Sequence, residues 1–142
     1  MVRMVNQVKN KNMYCIKKQI PIYPGLLALC VTSNAEDLYS EFTKESVNAT
    51  GILERTNSIH AHTLVLNCDD KICYTVLLNL DDELYPVTPG DIAHEALHVV
   101  NFVFSHTKIS YSLDEDEHAA YFIKYVVDSI YEQLNILNLK LN

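Results

Sequence analysis

Long apolar runs are missing from this sequence. None approaches the roughly 20 residues that a bilayer-spanning helix needs, so no transmembrane helix is expected. The opening Met1-Val2-Arg3-Met4-Val5-Asn6 lacks the apolar centre of a signal peptide, and the expectation is a soluble, cytoplasmic protein without membrane partners. Basic clusters are scarce too. With 11 Lys+Arg against 18 Asp+Glu the net charge is -7, and no Arg/Lys cluster interleaved with aromatics follows the mildly basic start, which argues against a nucleic-acid partner. The four cysteines, Cys15, Cys30, Cys68 and Cys73, form no C-x-x-C knuckle and read as small core residues in a reducing compartment. Cys68 and Cys73 flank a turn as candidate cross-strand neighbours. With no internal repeat or low-complexity block, the 142 residues fit one domain, residues 1–142, around a single core. Its first 13 residues, rich in Asn and Lys, read as a flexible leader.

What the sequence does have is patterned apolar segments. Tyr14 to Ile22 shows partial alternation and a proline, which predicts an edge strand. Pro24-Gly25 marks a turn, and Leu26-Leu27-Ala28-Leu29-Cys30-Val31 is a continuous apolar run expected to be a buried strand. Asn34 caps a predicted short helix from Ala35 to about Lys44, followed by an aperiodic stretch over residues 45–59. His62 to Asn67 and Ile72 to Leu80, separated by Asp69-Asp70-Lys71, predict a β-hairpin. Thr88-Pro89-Gly90-Asp91 starts a helix with a cap, a proline at the first position and an acid three residues on, extending to about Ser105 with Ile92, Ala93, Ala96, Val99, Val100 and Val103 on its buried stripe. Ser112-Leu113-Asp114-Glu115 predicts a second capping box and a helix to about Leu134. The expected fold is α+β: a small, mostly antiparallel sheet covered on one face by these two helices.

The first of them carries His94-Glu95-Ala96-Leu97-His98, an H-E-x-x-H word. Composition alone produces such a word on the order of one to two per cent of the time, so its placement on a well-capped helix is what gives it weight. Positions i and i+4 project from one helical face, so His94 and His98 can hold one Zn²⁺ while Glu95 serves as general base toward the attacking water. A catalytic zinc needs a third protein ligand and one open vertex. Glu117, nineteen residues after His98 at the expected start of the last helix, is the choice; His106, Asp114, Asp116 and His118 compete. A metzincin spacing would require histidine at position 104, which is Phe104. Tyr121, one turn after Glu117, can donate to a developing oxyanion or stand as a boundary aromatic in water. Asp128 reads as surface. The alternative for the whole word is a solvated helix with two surface histidines beside an acid, but His94 and His98 share a polar stripe with Asp91, Asn101 and Ser105 that calls for a reason.

These residues carry a resemblance. Thr88 to His98, Glu117-His118-Ala119-Ala120-Tyr121, Ile22-Tyr23-Pro24 and Glu36-Asp37-Leu38 resemble small zincin-like proteins encoded by bacteriophages and prophages, over about Ile22 to Ile130. That family usually reads E-P-x-A-Y after the metal helix, which implies Glu117 as a ligand and gives Tyr121 a recurrent place; the ligand spacing is similar to that of thermolysin-type gluzincins. The chain departs from the family in having His118 where proline is usual and Lys124-Tyr125 where Gly-Trp is common. The resemblance implies a minimal zincin-like fold and a zinc metallopeptidase with His94, His98 and Glu117 as ligands and Glu95 and Tyr121 as catalytic residues. Its substrate would be a peptide or protein, and its setting the host cytoplasm or a virion. The alternative function is a phage structural, assembly or host-factor-binding protein that keeps the scaffold without peptidase activity.

Overall fold

The computed structural model describes residues 13–55 and 59–141, and the backbone of residues 4–9. Five strands form one sheet: β1 (Met4–Lys9), β2 (Tyr14–Gln19), β3 (Leu26–Val31), β4 (Ala61–Cys68) and β5 (Lys71–Leu78), in the order β1-β2-β3-β5-β4. Three pairings are antiparallel and the central β3–β5 pairing is parallel, so the sheet is mixed and the fold α+β. Two long helices, α2 (Pro89–Thr107) and α3 (Glu117–Ile136), pack on one face. A 3₁₀ turn (Ala35–Ser40), the short helix α1 (Lys44–Ala49) and a second 3₁₀ turn (Ile52–Glu54) pack on the other. No helix among the described residues is long and apolar enough to cross a membrane.

The continuous apolar run of β3 follows from this two-sided cover. Leu27, Leu29 and Val31 meet Val99, Val103, Phe122 and Val126 on the long-helix face, while Leu26, Ala28 and Cys30 meet Leu38, Phe42 and Val47 on the other. Alternate side chains of a strand point to opposite faces, so a strand covered twice leaves no side chain in water. Each fully buried Leu or Val contributes about 1.5–3 kcal/mol relative to exposure.

Several expectations are corrected. The presumed leader holds β1, which pairs with β2 from Met4↔Lys18 to Lys9↔Tyr14, and Met13 is buried; residues 1–3 and 10–12 lie outside the described residues. With β1 outside it, β2 is an interior strand and not the edge that its partial alternation and proline had suggested. Lys17 and Lys18 are both buried, and each has partners. Lys18 Nζ donates to Ser129 Oγ at 2.9 Å and to Glu132 Oε2 at 3.3 Å. Lys17 Nζ donates to Glu41 and, at 3.2 Å, to Cys68 Sγ, with the Phe42 ring 4.9 Å below. Burial depresses the Lys17 pKa, but the bonds to Glu41 and Cys68 outweigh it and leave the ammonium above its ordinary value.

The single helix expected from Ala35 to Lys44 breaks at Glu41, which turns to Lys17, and restarts where Thr43 caps α1 by accepting from Ser46 N. The aperiodic stretch 45–59 thus contains α1 and a 3₁₀ turn; residues 56–58 lie outside the described residues. Ala93 is exposed. Cys68 pairs with Lys71 and Cys73 with Leu66, so the two are not direct cross-strand partners, whereas Cys15 and Cys30 are. All four thiols are free, and burial pushes Cys73 up to about 12. The expected capping box at Ser112 is a turn instead: Ser112 and Glu115 bond each other's backbone, and α3 starts after Asp116 with no side-chain cap.

The turn between β2 and β3 depends on Gly25, whose φ of +106° lies in the left-handed region and whose missing Cβ would sit 2.8 Å from Tyr74 Cε2 and 2.9 Å from Ile72 Cγ2. Gly51 also has positive φ but open space around it. In thermal or urea unfolding, Gly25→Ala is expected to cost about 2–3 kcal/mol and Gly51→Ala about 1 kcal/mol; equal losses would contradict the close approach.

Candidate metal centre

Local chemistry fixes where α2 begins. Thr88 Oγ1 accepts from Asp91 N at 3.2 Å while Thr88 N donates to Asp91 Oδ2 at 2.8 Å, a reciprocal capping box with Pro89 at the first helical position. His60, just before β4, places Nε2 3.1 Å from the same carboxylate oxygen and so ties the helix start to the sheet. The Thr88 N–H most of all, with smaller help from His60 and the Thr88 hydroxyl, holds Asp91 below its ordinary pKa of 3.8 against the opposing effect of burial.

At about 100° per residue, His94 and His98 fall on the side of α2 opposite Ile92, Ala96, Val99 and Val103. Both project to solvent, and the His94 side chain is 68% exposed. Their Nε2 atoms stand 3.2 Å apart, with ring centroids 4.9 Å apart and planes at 71°. Two imidazole nitrogens bound at 2.0–2.1 Å to one tetrahedral ion are separated by about 3.3 Å, so the pair has the spacing of two zinc donors.

Glu95 lies on the flank between this stripe and the sheet, only 6% exposed. Thr63 Oγ1, on β4, donates toward Glu95 Oε1 at 2.9 Å and toward the Glu95 carbonyl at 3.1 Å. The other carboxylate oxygen, Oε2, is 3.9 Å from His94 Nε2. His62, next to Thr63 but on the opposite face of β4, is held below its ordinary pKa by burial and then by the Arg55 guanidinium.

β4 is the last strand of the sheet. Asn67 turns its backbone outward, its carbonyl accepting from Thr43 N at 2.8 Å and its N–H donating to Ser46 Oγ at 3.0 Å. Alternation along an antiparallel ladder points the backbone groups of Ala61, Thr63 and Val65 the same way, and no strand among the described residues pairs with them. The carboxylate of Glu95 is therefore held by a residue whose own main chain faces an open edge.

The remaining expected site residues stand elsewhere. Glu117 is exposed at the first turn of α3. Its neighbour His118 points Nε2 at Ser110 O, 3.2 Å away, and stacks on Phe104 with centroids 5.4 Å apart. Phe104 lies about 9 Å along α2 from His98 at 1.5 Å per residue. Among the described residues, no three His, Cys, Asp or Glu side chains gather in a group able to hold a metal ion, so the structure brings His94, Glu95 and His98 together without Glu117. Tyr121, 67% exposed, lines a cavity of about 360 Å³ with Tyr23, His118, Phe122 and Tyr125. His106 Nδ1 is 2.9 Å from Tyr74 OH, and Asp128 accepts from Lys124 at 2.7 Å in an exposed pair. Tested against zinc, the residues fit two vertices and a general base; the third protein donor is not assembled.

Sequence reasoning missed Thr63 and His60. The alternation His62-Thr63-Leu64-Val65-Leu66 carried a signal for the first, since Thr63 shares its face with Val65 and that face meets α2. No protein-family model, curated protein or solved structure matches this chain.

The depressed Asp91 has a pH consequence. Because its folded pKa lies below the ordinary 3.8, its contribution to stability is complete above that value and is lost as pH falls through the folded pKa. Asp91→Asn is expected to cost about 1 kcal/mol at neutral pH, with the deficit shrinking below pH 3.8 in urea unfolding; a deficit that does not change with pH would contradict the capping role.

Proposed function

We propose that the protein is a zinc-dependent hydrolase of amide bonds, a small metallopeptidase of the zincin kind. The observation that carries this reading is the 3.2 Å separation of two solvent-facing imidazole nitrogens beside a buried carboxylate that adjoins an open sheet edge. In this reading His94 and His98 hold the ion. Glu117 is assigned the third vertex on its spacing from His98 and on the resemblance, and has to come to the pair when the ion binds. Zinc in such a site supplies a Lewis acid that polarises the carbonyl and makes water a nucleophile at neutral pH.

The chain's own residues supply the rest. Glu95 Oε2, the oxygen that Thr63 does not engage, takes a proton from the attacking water and returns it to the departing amine. Ala61, Thr63 and Val65 offer main-chain donors and acceptors to an extended peptide, which adds as a further strand and brings its carbonyl alongside α2. Tyr121, one turn after Glu117 and at a recurrent place in the family it resembles, takes the role of oxyanion donor. The resemblance also sets the protein in the host cytoplasm as a phage or prophage product, with virion or host proteins as further partners.

A second reading is a phage structural, assembly or host-factor-binding protein that retains the scaffold without turnover. The absence of a three-donor group among the described residues favours it.

Zinc content and turnover of a quenched-fluorescent peptide library separate the two. Glu95→Gln is expected to keep its zinc and lose at least about a hundredfold in kcat; a wild type that turns over no peptide, or a Gln variant that matches it, would sink the hydrolase. Glu117→Ala should weaken zinc binding about tenfold or more, while Asp116→Ala should leave it unchanged. The reverse order would move the third ligand to Asp116.

A further inference from the structure

We propose that Thr63 is a positioning residue that clamps the Glu95 carboxylate and couples it to the strand on which a peptide docks, an inference that rests on the hydrolase reading. The face of β4 that meets α2 is otherwise apolar there, with Ala61 and Val65 on either side of Thr63. Packing alone would be satisfied by valine, which has the same branched shape, so the hydroxyl is the feature that needs explaining. Its single hydrogen lies within reach of two acceptors of one residue, Glu95 Oε1 at 2.9 Å and the Glu95 carbonyl at 3.1 Å.

A carboxylate with 6% exposure cannot leave an oxygen unsatisfied without cost, and a side chain with three rotatable bonds does not hold one direction by itself. Engaging Oε1 from the sheet fixes the rotation of the carboxylate and leaves Oε2 directed toward the histidine pair, 3.9 Å from His94 Nε2. The residue that does this sits on the outer strand, with its own N–H and C=O facing the open edge. A peptide bonded to that edge is therefore registered against the same residue that holds the base, and small errors in such placement are costly to rate.

Two variants test the clamp, Thr63→Val, which removes the hydroxyl, and Thr63→Ser, which retains it. In the metal-free proteins, side-chain scalar couplings of Glu95 should report one rotamer for wild type and Thr63→Ser and averaged rotamers for Thr63→Val. In the zinc-loaded proteins acting on a quenched-fluorescent peptide library, Thr63→Val should lose about tenfold to a hundredfold in kcat, with KM and zinc content within about twofold of wild type, and Thr63→Ser should recover most of it. A merely structural bond would lower the melting temperature of Thr63→Val and leave kcat unchanged, which overturns the proposal. Wild-type couplings in Thr63→Val overturn it as well. If wild type turns over no peptide, the hydrolase reading fails separately, and the couplings alone decide whether Thr63 orders Glu95.

Discussion

A carboxylate taken out of water must be given a donor, and that requirement organises this molecule around the contact between Glu95 on α2 and Thr63 on β4. The buried stripe of α2 sets which way the helix lies on the sheet, and Glu95 sits at the margin of that stripe with a hydroxyl from the outer strand against it. Once α2 is seated so, the histidines before and three positions after Glu95 have no choice but to face solvent on the far side of the helix. The pairing of His94 with His98, the direction of Glu95 and the nearness of an open sheet edge are thus consequences of one docking geometry, reinforced at the helix start by the Thr88, Asp91 and His60 contacts.

The sheet serves this geometry by being covered on both faces. α2 and α3 fill one side, and the short elements between β3 and β4 fill the other, which leaves β4 as the exposed margin nearest the histidines. At its far end β4 is closed by α1, since Thr43 and Ser46 satisfy Asn67, so the open portion is limited to the residues beside Glu95. The opposite margin carries β1, and the lysines of β2 are consequently enclosed and paired with Glu41, Ser129 and Glu132.

Where structure follows from local code, the sequence was readable. Thr88-Pro89-Gly90-Asp91 specifies its own helix start through bonds among neighbours, and the apolar run of β3 announces a strand buried on both faces. Where structure follows from distant partners, it was not. β1 is polar and owes its order to β2; Lys17 and Lys18 look like solvent-facing charges until Glu41 and Ser129 are placed beside them; and the helix after Asn34 breaks because Glu41 is drawn to Lys17. The site divides in the same way. The i, i+4 spacing put His94 and His98 on one face without further information, and Glu95 between them followed. The position of Glu117 depends instead on the path of residues 108–116, where Ser112 and Glu115 bond each other and His118 turns to Ser110, and no periodicity encodes that path. Thr63 lay in view as a polar residue on a face that meets a helix, and only the docked pair shows what it touches.

The proposed function requires one divalent ion between the two imidazoles. X-ray absorption at the zinc edge, on protein loaded with equimolar Zn²⁺, addresses it directly. The expected spectrum has an inner shell of nitrogen and oxygen alone, with the outer scattering of two imidazoles that vanishes in the His94→Ala/His98→Ala double variant. An inner shell containing sulfur, or a spectrum unchanged in the double variant, would contradict it.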